Sequence, residues 1–189
     1  MNPDKLGDQL PRLQGEGLSL RWLTRDDVPP LMAIFSDEEV VRFMSVSLQR
    51  SEADALSFLA EIHRGFVEGT LYQWGVEVEG ALAGTCTLSG IDRRHRRAEL
   101  GFALAPAFRG RGLMGRALSV LLDFAFERLD LHRIEADSDP RNSASIRVLE
   151  RLGFQREGTL RERYFQLGEV QDAVLFGLLR RERRVARST

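Results

Sequence analysis

The sequence predicts one mixed α/β domain, built on a mostly antiparallel central sheet with helices on both faces. Three observations lead there. The 189 residues suffice for one core and are cramped for two, since a chain of this size buries roughly 70% of its unfolded surface in a single core. Apolar spacing switches repeatedly between the strand period and the helical period. Late in the chain a strand, a helix and another strand follow one another, and a crossover of that kind joins parallel strands.

The elements follow in order. Residues 18–23 alternate, with Leu18, Leu20 and Trp22 on one face, and the aspartates at 26 and 27 offer caps for a short helix over 28–35. Ser51 and Asp54 make a capping box for a helix carrying Leu56, Leu59, Ile62 and Phe66, stopped at Gly69. Strands over 71–78, 81–88 and 98–105, the first two joined by Glu79-Gly80, form an antiparallel meander ending at Pro106. A helix over 112–129 places Leu118, Leu121, Leu122, Ala125 and Leu129 on one stripe and leads to a strand over 131–136. Asn142 caps a helix over 143–152, and Gly153 takes the left-handed stop. A hairpin of 154–165 and 173–179, turning near Gly168, closes the sheet, while the first fifteen or so residues and 180–189 read as frayed ends.

Composition excludes several classes. With 43% hydrophobic and 29% charged residues the chain is an ordinary globular one, neither disordered nor fibrous. Its 27 basic and 28 acidic residues leave a formal charge of −1, which argues against a nucleic-acid partner held by a broad positive field. Cys86 is the one cysteine, so no intrachain disulfide forms and a reducing, cytoplasmic setting is expected. Residues 1–17 lack an apolar core, and the apolar run 120–126 is broken by Asp123 and far short of roughly 18 residues, so no membrane partner is expected. His63, His95 and His132 share no ligand spacing, and no metal is expected. Arginine outnumbers lysine 26 to 1, and arginine is the better bidentate partner for phosphate.

The arginines concentrate in Pro106-Ala107-Phe108-Arg109-Gly110-Arg111-Gly112-Leu113-Met114-Gly115-Arg116, between a strand and a long helix. Backbone amides at a helix start have no intrahelical acceptor and lie at the positive end of the dipole, an anion site. Glycines let the backbone approach a pyrophosphate, and Arg109, Arg111 and Arg116 add charge; a tight turn with solvated arginines is the plainer alternative. Gly110, Gly112 and Gly115 also spell the dinucleotide fingerprint, with Glu135 twenty residues beyond. Against an NAD-binding reading, five residues separate Leu104 from the first glycine and fewer than sixty follow the Glu135 strand. No Lys-Ser or Lys-Thr follows, so a P-loop fails as well.

A second segment, Asn142-Ser143-Ala144-Ser145-Ile146-Arg147-Val148-Leu149-Glu150-Arg151-Leu152-Gly153-Phe154, follows the next strand. Together with Arg109-x-x-Gly112, Ala98-Glu99-Leu100-Gly101-Phe102, Leu131-His132-Arg133-Ile134-Glu135-Ala136 and Leu160-Arg161-Glu162-Arg163-Tyr164, it resembles the GNAT superfamily of N-acetyltransferases, nearest the ribosomal-protein N-terminal (Rim-type) branch. The likeness spans 17–181, leaving 1–16 as an extension and 182–189 as a tail.

The resemblance implies a GNAT, acyl-CoA N-acyltransferase fold with a splayed parallel strand pair, and acetyl-CoA as acyl donor without a metal. The acceptor would be a primary amine, on a protein N-terminus or a small molecule, which attacks directly in a ternary complex; dimers are common among relatives. Phe102, Ala103 and Leu104 would take the pantetheine arm, and Arg109, Gly110, Arg111, Gly112, Leu113, Met114 and Gly115 the pyrophosphate. Met114 stands where the family usually has Gly or Ala, which is tolerable if its side chain enters the helix packing. Asn142 matches a cofactor contact as well as a cap, and Arg151 matches a basic position near the nucleotide, or else a solvated face.

A protonated amine must lose a proton before attack. Glu99 matches an acidic position that serves relatives through water; its alternative is an exposed carboxylate paired with Arg97. Leu149 occupies the place where many relatives carry an acidic Tyr, so Ser145 is the candidate to assist the departing thiolate, with Tyr164 in reserve. The run Arg93-Arg94-His95-Arg96-Arg97 is a solvated hairpin tip or a contact for an acidic group, and Asp37-Glu38-Glu39 a helix start or a lure for a cationic amine. A non-catalytic acyl-CoA-binding module is the alternative function.

Overall fold

The computed structural model describes residues 6–183. Its centre is an eight-stranded sheet in the order β1 (Leu13–Gly15), β2 (Leu18–Arg21), β3 (Leu71–Val78), β4 (Ala81–Asp92), β5 (Arg97–Leu104), β6 (Arg133–Ser138), β8 (Glu169–Leu179), β7 (Gln155–Gln166). Every neighbouring pair is antiparallel except β5 and β6. The odd pair follows from the crossover helix between its strands, α4 (Leu113–Glu127). Helices α1 (Val28–Phe35), α2 (Glu38–Val41) and α3 (Glu52–Glu68) supply one core, with Leu31, Phe35, Leu59 and Ile62. α4 and α5 (Ser143–Arg151) supply the other, where Leu118, Leu121, Ile146 and Leu149 meet Trp74, Leu88 and Phe176.

Local signals act as their chemistry requires. Ser51 and Asp54 cap α3 reciprocally, and Gly69 ends it at φ +70°. Gly153 stops α5 at φ +94°. Three expectations are corrected. The segment before residue 17 is no frayed extension throughout: Leu10 is buried and β1 pairs with β2, because Pro11 O accepts a 2.9 Å bond from Trp74 Nε1. At the other end Arg183 bonds Asp123 and Ser119 on α4, so 180–183 are anchored too. Residues 1–5 and 184–189 of the expected extension and tail lie outside the described residues. Asp27 makes no side-chain cap for α1; its carboxylate takes Arg21 at 2.7 and 2.8 Å and the Thr24 amide at 2.8 Å.

Burial alone would raise Asp27, but the Arg21 and Thr24 hydrogen bonds outweigh it and hold the carboxyl below its ordinary value of 3.8; Glu77, bonded to Arg12 and Arg21, is lowered likewise. A depressed carboxyl contributes stability above its unfolded pKa and loses it as pH falls through the folded value. Breaking this largely buried pair with Asp27→Asn is expected to cost about 3 kcal/mol at pH 7. The cost should shrink as pH falls below about 4, because the unfolded chain takes up a proton at Asp27 before the native state does. Urea titrations at pH 7 and pH 3 check it; an equal cost at both would refute the ionic account.

Candidate active site

The parallel ladder joins Arg97, Ala98 and Glu99 to Arg133, Ile134 and Glu135, then stops. β5 continues along β4 to Leu104, and β6 along β8 to Ser138, so a wedge opens between them. Ala105 N donates to Ala83 O, and alternation along an antiparallel strand then turns the backbone groups of Gly101 and Ala103 toward β4. Those of Leu100, Phe102 and Leu104 face the wedge. This open edge floors a cleft of about 890 Å³, and Phe102, Ala103 and Leu104 all line it.

One end of the cleft is the start of α4. Gly110 and Gly112 sit at φ +78° and +69°, which glycine adopts without strain. No side chain caps Gly112, so the first-turn amides of Leu113, Met114 and Gly115 remain for a ligand. Gly115 is the telling residue. A Cβ there would meet nothing within 4 Å, and its φ is not left-handed, so neither packing nor backbone requires glycine. In a helix that choice costs about 0.5–1 kcal/mol relative to Ala, and what it leaves is open space in the cleft wall. A diphosphate fits the donor set and the room left for it.

Leu113 and Met114 turn into the core; the Met114 sulfur lies 3.7 Å from Cys86 Sγ. Their amides are left free, and burial pushes the Cys86 thiol far up, so it is no nucleophile. Arg109, Arg147 and Arg151 line the cleft. Arg111 is not in the lining: set between two left-handed glycines, its side chain lies over Phe108, 4.0 Å from Glu79. Arg116 is outside the lining as well. Asn142 Oδ1 accepts from Ser145 N at 3.1 Å, so Asn142 caps α5 while both residues line the cleft. Leu149 is buried in the core.

The other end gathers Glu99, Asp137 and Tyr164. Arg97 bonds Glu135 at 2.8 Å, and Glu99 turns to Asp137 instead. Burial, then the charge and hydrogen bond of Asp137, raise the Glu99 carboxyl above 4.5, while Arg163 pulls it back. Burial also raises the Tyr164 phenol, and nearby Asp137 adds to the shift. A register break in β7 between Leu160 and Tyr164, with Glu162 at φ +53°, carries Arg163 over the Tyr164 ring at 5.5 Å. Above the cleft, Gln166 and Gln171 hold the carbonyls of Val41, Arg42 and Val46, tying the segment after α2 to the last hairpin.

Sequence reasoning missed Asp137 and Arg163. Asp137 was findable: it shares the alternation of Glu135, and pairing the strands in parallel puts it on Glu99's face. Arg163 depends on a bulge that no local pattern marks. The basic run is dispersed, Arg96 to Asp130 and Arg97 to Glu135, and Asp37 caps α2 through the Glu39 amide.

A splayed parallel pair leading to a glycine-lined helix start, with titratable groups at the far end of one cleft, defines an N-acetyltransferase. Residues 18–155 match the Acetyltransferase (GNAT) domain family, and the chain belongs to it. It is similar to the uncharacterized N-acetyltransferase p20 of Bacillus licheniformis, 34% identical over 172 residues, 90% of this chain and 97% of that one. Spermidine N(1)-acetyltransferase of Escherichia coli K12 is 27% identical over 158 residues, 83% of each chain. In fold it resembles Mycobacterium smegmatis RimJ, solved in complex with CoA-disulfide, at TM-score 0.81 and 23% identity over 89% of this chain and 86% of that one. The NAD-binding alternative falls, since β6 is followed by an antiparallel hairpin rather than further crossovers, and the non-catalytic module gives way to the enzyme.

Proposed function

We propose that the protein transfers acetyl from acetyl-CoA to a cationic primary amine by direct attack in a ternary complex. The observation that supports this most is the continuity of one cleft: the α4 amides and Gly115 at one end, the unpaired edge of Phe102 and Leu104 along its floor, and Glu99 at the other. Acetyl-CoA supplies an activated thioester. The α4 start and Arg109, Arg147 and Arg151 hold its phosphates, and the β5 edge orients the pantetheine amides. Glu99 takes the amine proton, directly or through water, and Ser145 donates a hydrogen bond at the sulfur, with Tyr164 as the reserve donor. Acceptors remain of two kinds, small polyamines and protein N-termini; the relatives' names include spermidine. Thiol release across an amine panel tests the reading, and failure to bind acetyl-CoA by calorimetry would sink it.

Two variants separate the roles. Glu99→Gln is expected to lower turnover about a hundredfold, the scale of a lost general base, with acetyl-CoA affinity unchanged. A carboxyl raised in the fold contributes stability that is lost as pH rises through the folded pKa, so this variant should be as stable as the parent or more stable at pH 7. Ser145→Ala is expected to lower turnover roughly tenfold, about one hydrogen bond. Unchanged turnover in both would remove them from the chemistry.

A further inference from the structure

Glu99 and Asp137 stand on the two strands that splay. The parallel register sets Glu99 beside Glu135, and Asp137 follows two residues along β6 on the same face. Both line the cleft. Asp137 is near enough to Glu99 to add to burial in raising its carboxyl. The acids two residues to either side of Asp137 are taken. Glu135 receives Arg97 and Arg133, each at 2.8 Å, and Asp139 receives Arg141 at 2.7 and 2.9 Å. Among the described residues, no arginine forms an ion pair with Asp137. Tyr164 lines the cleft with it, and Asp137 adds to burial in raising the phenol.

We propose that Glu99 and Asp137 form a two-carboxylate seat for the ammonium group of the acceptor, in which Asp137 binds the cation and Glu99 takes a proton from it. The idea rests on the acetyl-transfer reading above and deepens it by assigning the acceptor's charge to a residue pair. An ammonium carries three N–H donors, so in the seat it gives one N–H to each carboxylate. One N–H bond then breaks: its electron pair stays on nitrogen, the proton joins a Glu99 oxygen, and the ammonium becomes a neutral amine. Asp137 keeps one of the two remaining N–H groups, so the nitrogen stays fixed while its lone pair is freed. Glu99 later returns the proton to water. The charged groups that act on Glu99 are Asp137 and Glu135 from β6 and Arg163 from β7.

The test is Asp137→Asn in the full chain, with spermidine as the probe amine. The spermidine KM is expected to rise at least tenfold and the acetyl-CoA KM to stay within twofold. The acid limb of kcat/KM should move to lower pH, because Glu99 loses an acidic neighbour; Asp137→Glu should restore the KM to within about threefold. An Asp137→Asn protein with unchanged spermidine KM and an unmoved acid limb overturns the seat and leaves the acetyl-transfer reading standing. An unaltered protein that fails to bind acetyl-CoA overturns both. If spermidine is not acetylated, carbon-13 titration of the Glu99 carboxyl decides: a lower pKa in Asp137→Asn supports the seat, and an unmoved one refutes it.

Discussion

Gly115→Glu is expected to raise the acetyl-CoA dissociation constant at least a hundredfold, about 2.7 kcal/mol, without loss of stability. The two effects separate because of where Gly115 sits. Glutamate is a better helix former than glycine, and an acid in the first turn of α4 favours the dipole, so the fold should gain a few tenths of a kcal/mol, on the order of 0.5. The added side chain meets nothing within 4 Å at its Cβ, so it extends into the cleft wall. There it competes for the amides that would hold phosphate and sets like charge against it. Gly115→Ala, with a methyl and no charge, should bind only a few-fold more weakly. Gly112→Glu should also block binding, but at φ +69° it adds backbone strain, which makes Gly115 the cleaner probe. Calorimetry paired with thermal melts reads both quantities; normal affinity in Gly115→Glu would end the phosphate-cradle assignment.

Trp74→Ala should be the most costly single truncation, at about 3–5 kcal/mol. Trp74 is fully buried, with edge contacts to Tyr72 and Phe124 at centroid distances of 6.5 and 5.6 Å. Its Nε1 also donates to Pro11 O. Trp74→Phe removes that bond with less loss of packing and should cost about 1–3 kcal/mol, leaving the half-buried Pro11 carbonyl without its donor. The two variants should differ in reach. Denaturant midpoints report the global loss, while amide exchange over residues 10–15 should quicken in Trp74→Phe well before the rest of the sheet. Unchanged exchange there would mean that Pro11 is held by something other than the indole.

That bond also marks a limit of the sequence. Trp74 reads as a core residue from its strand alternation, but nothing near Pro11 announces that a chain end lies across the indole, so β1 was invisible. The central strands, the crossover and its parallel pair were legible because each has a strong period and a cap or breaker at its ends. The glycine-rich start of α4 was legible too, since glycines and arginines crowd it. The direction of the Arg111 side chain was not legible, since charge counted along the sequence carries no direction. The far end of the cleft was half legible. Glu99 stood in a quoted motif, whereas Asp137 needed the strand register, and Arg163 the bulge.

The break in β7 has a consequence for the molecule among its neighbours. β7 is a twelve-residue strand at the edge of the sheet, exposed along nearly its whole length, and a flat strand of that kind invites another chain to add itself. The jog at Arg161, Glu162 and Arg163 interrupts the row of backbone donors and acceptors and surrounds the gap with charge. The irregularity that brings a guanidinium over Tyr164 therefore also protects the protein in a crowded solution. Straightening it would leave an edge able to template aggregation.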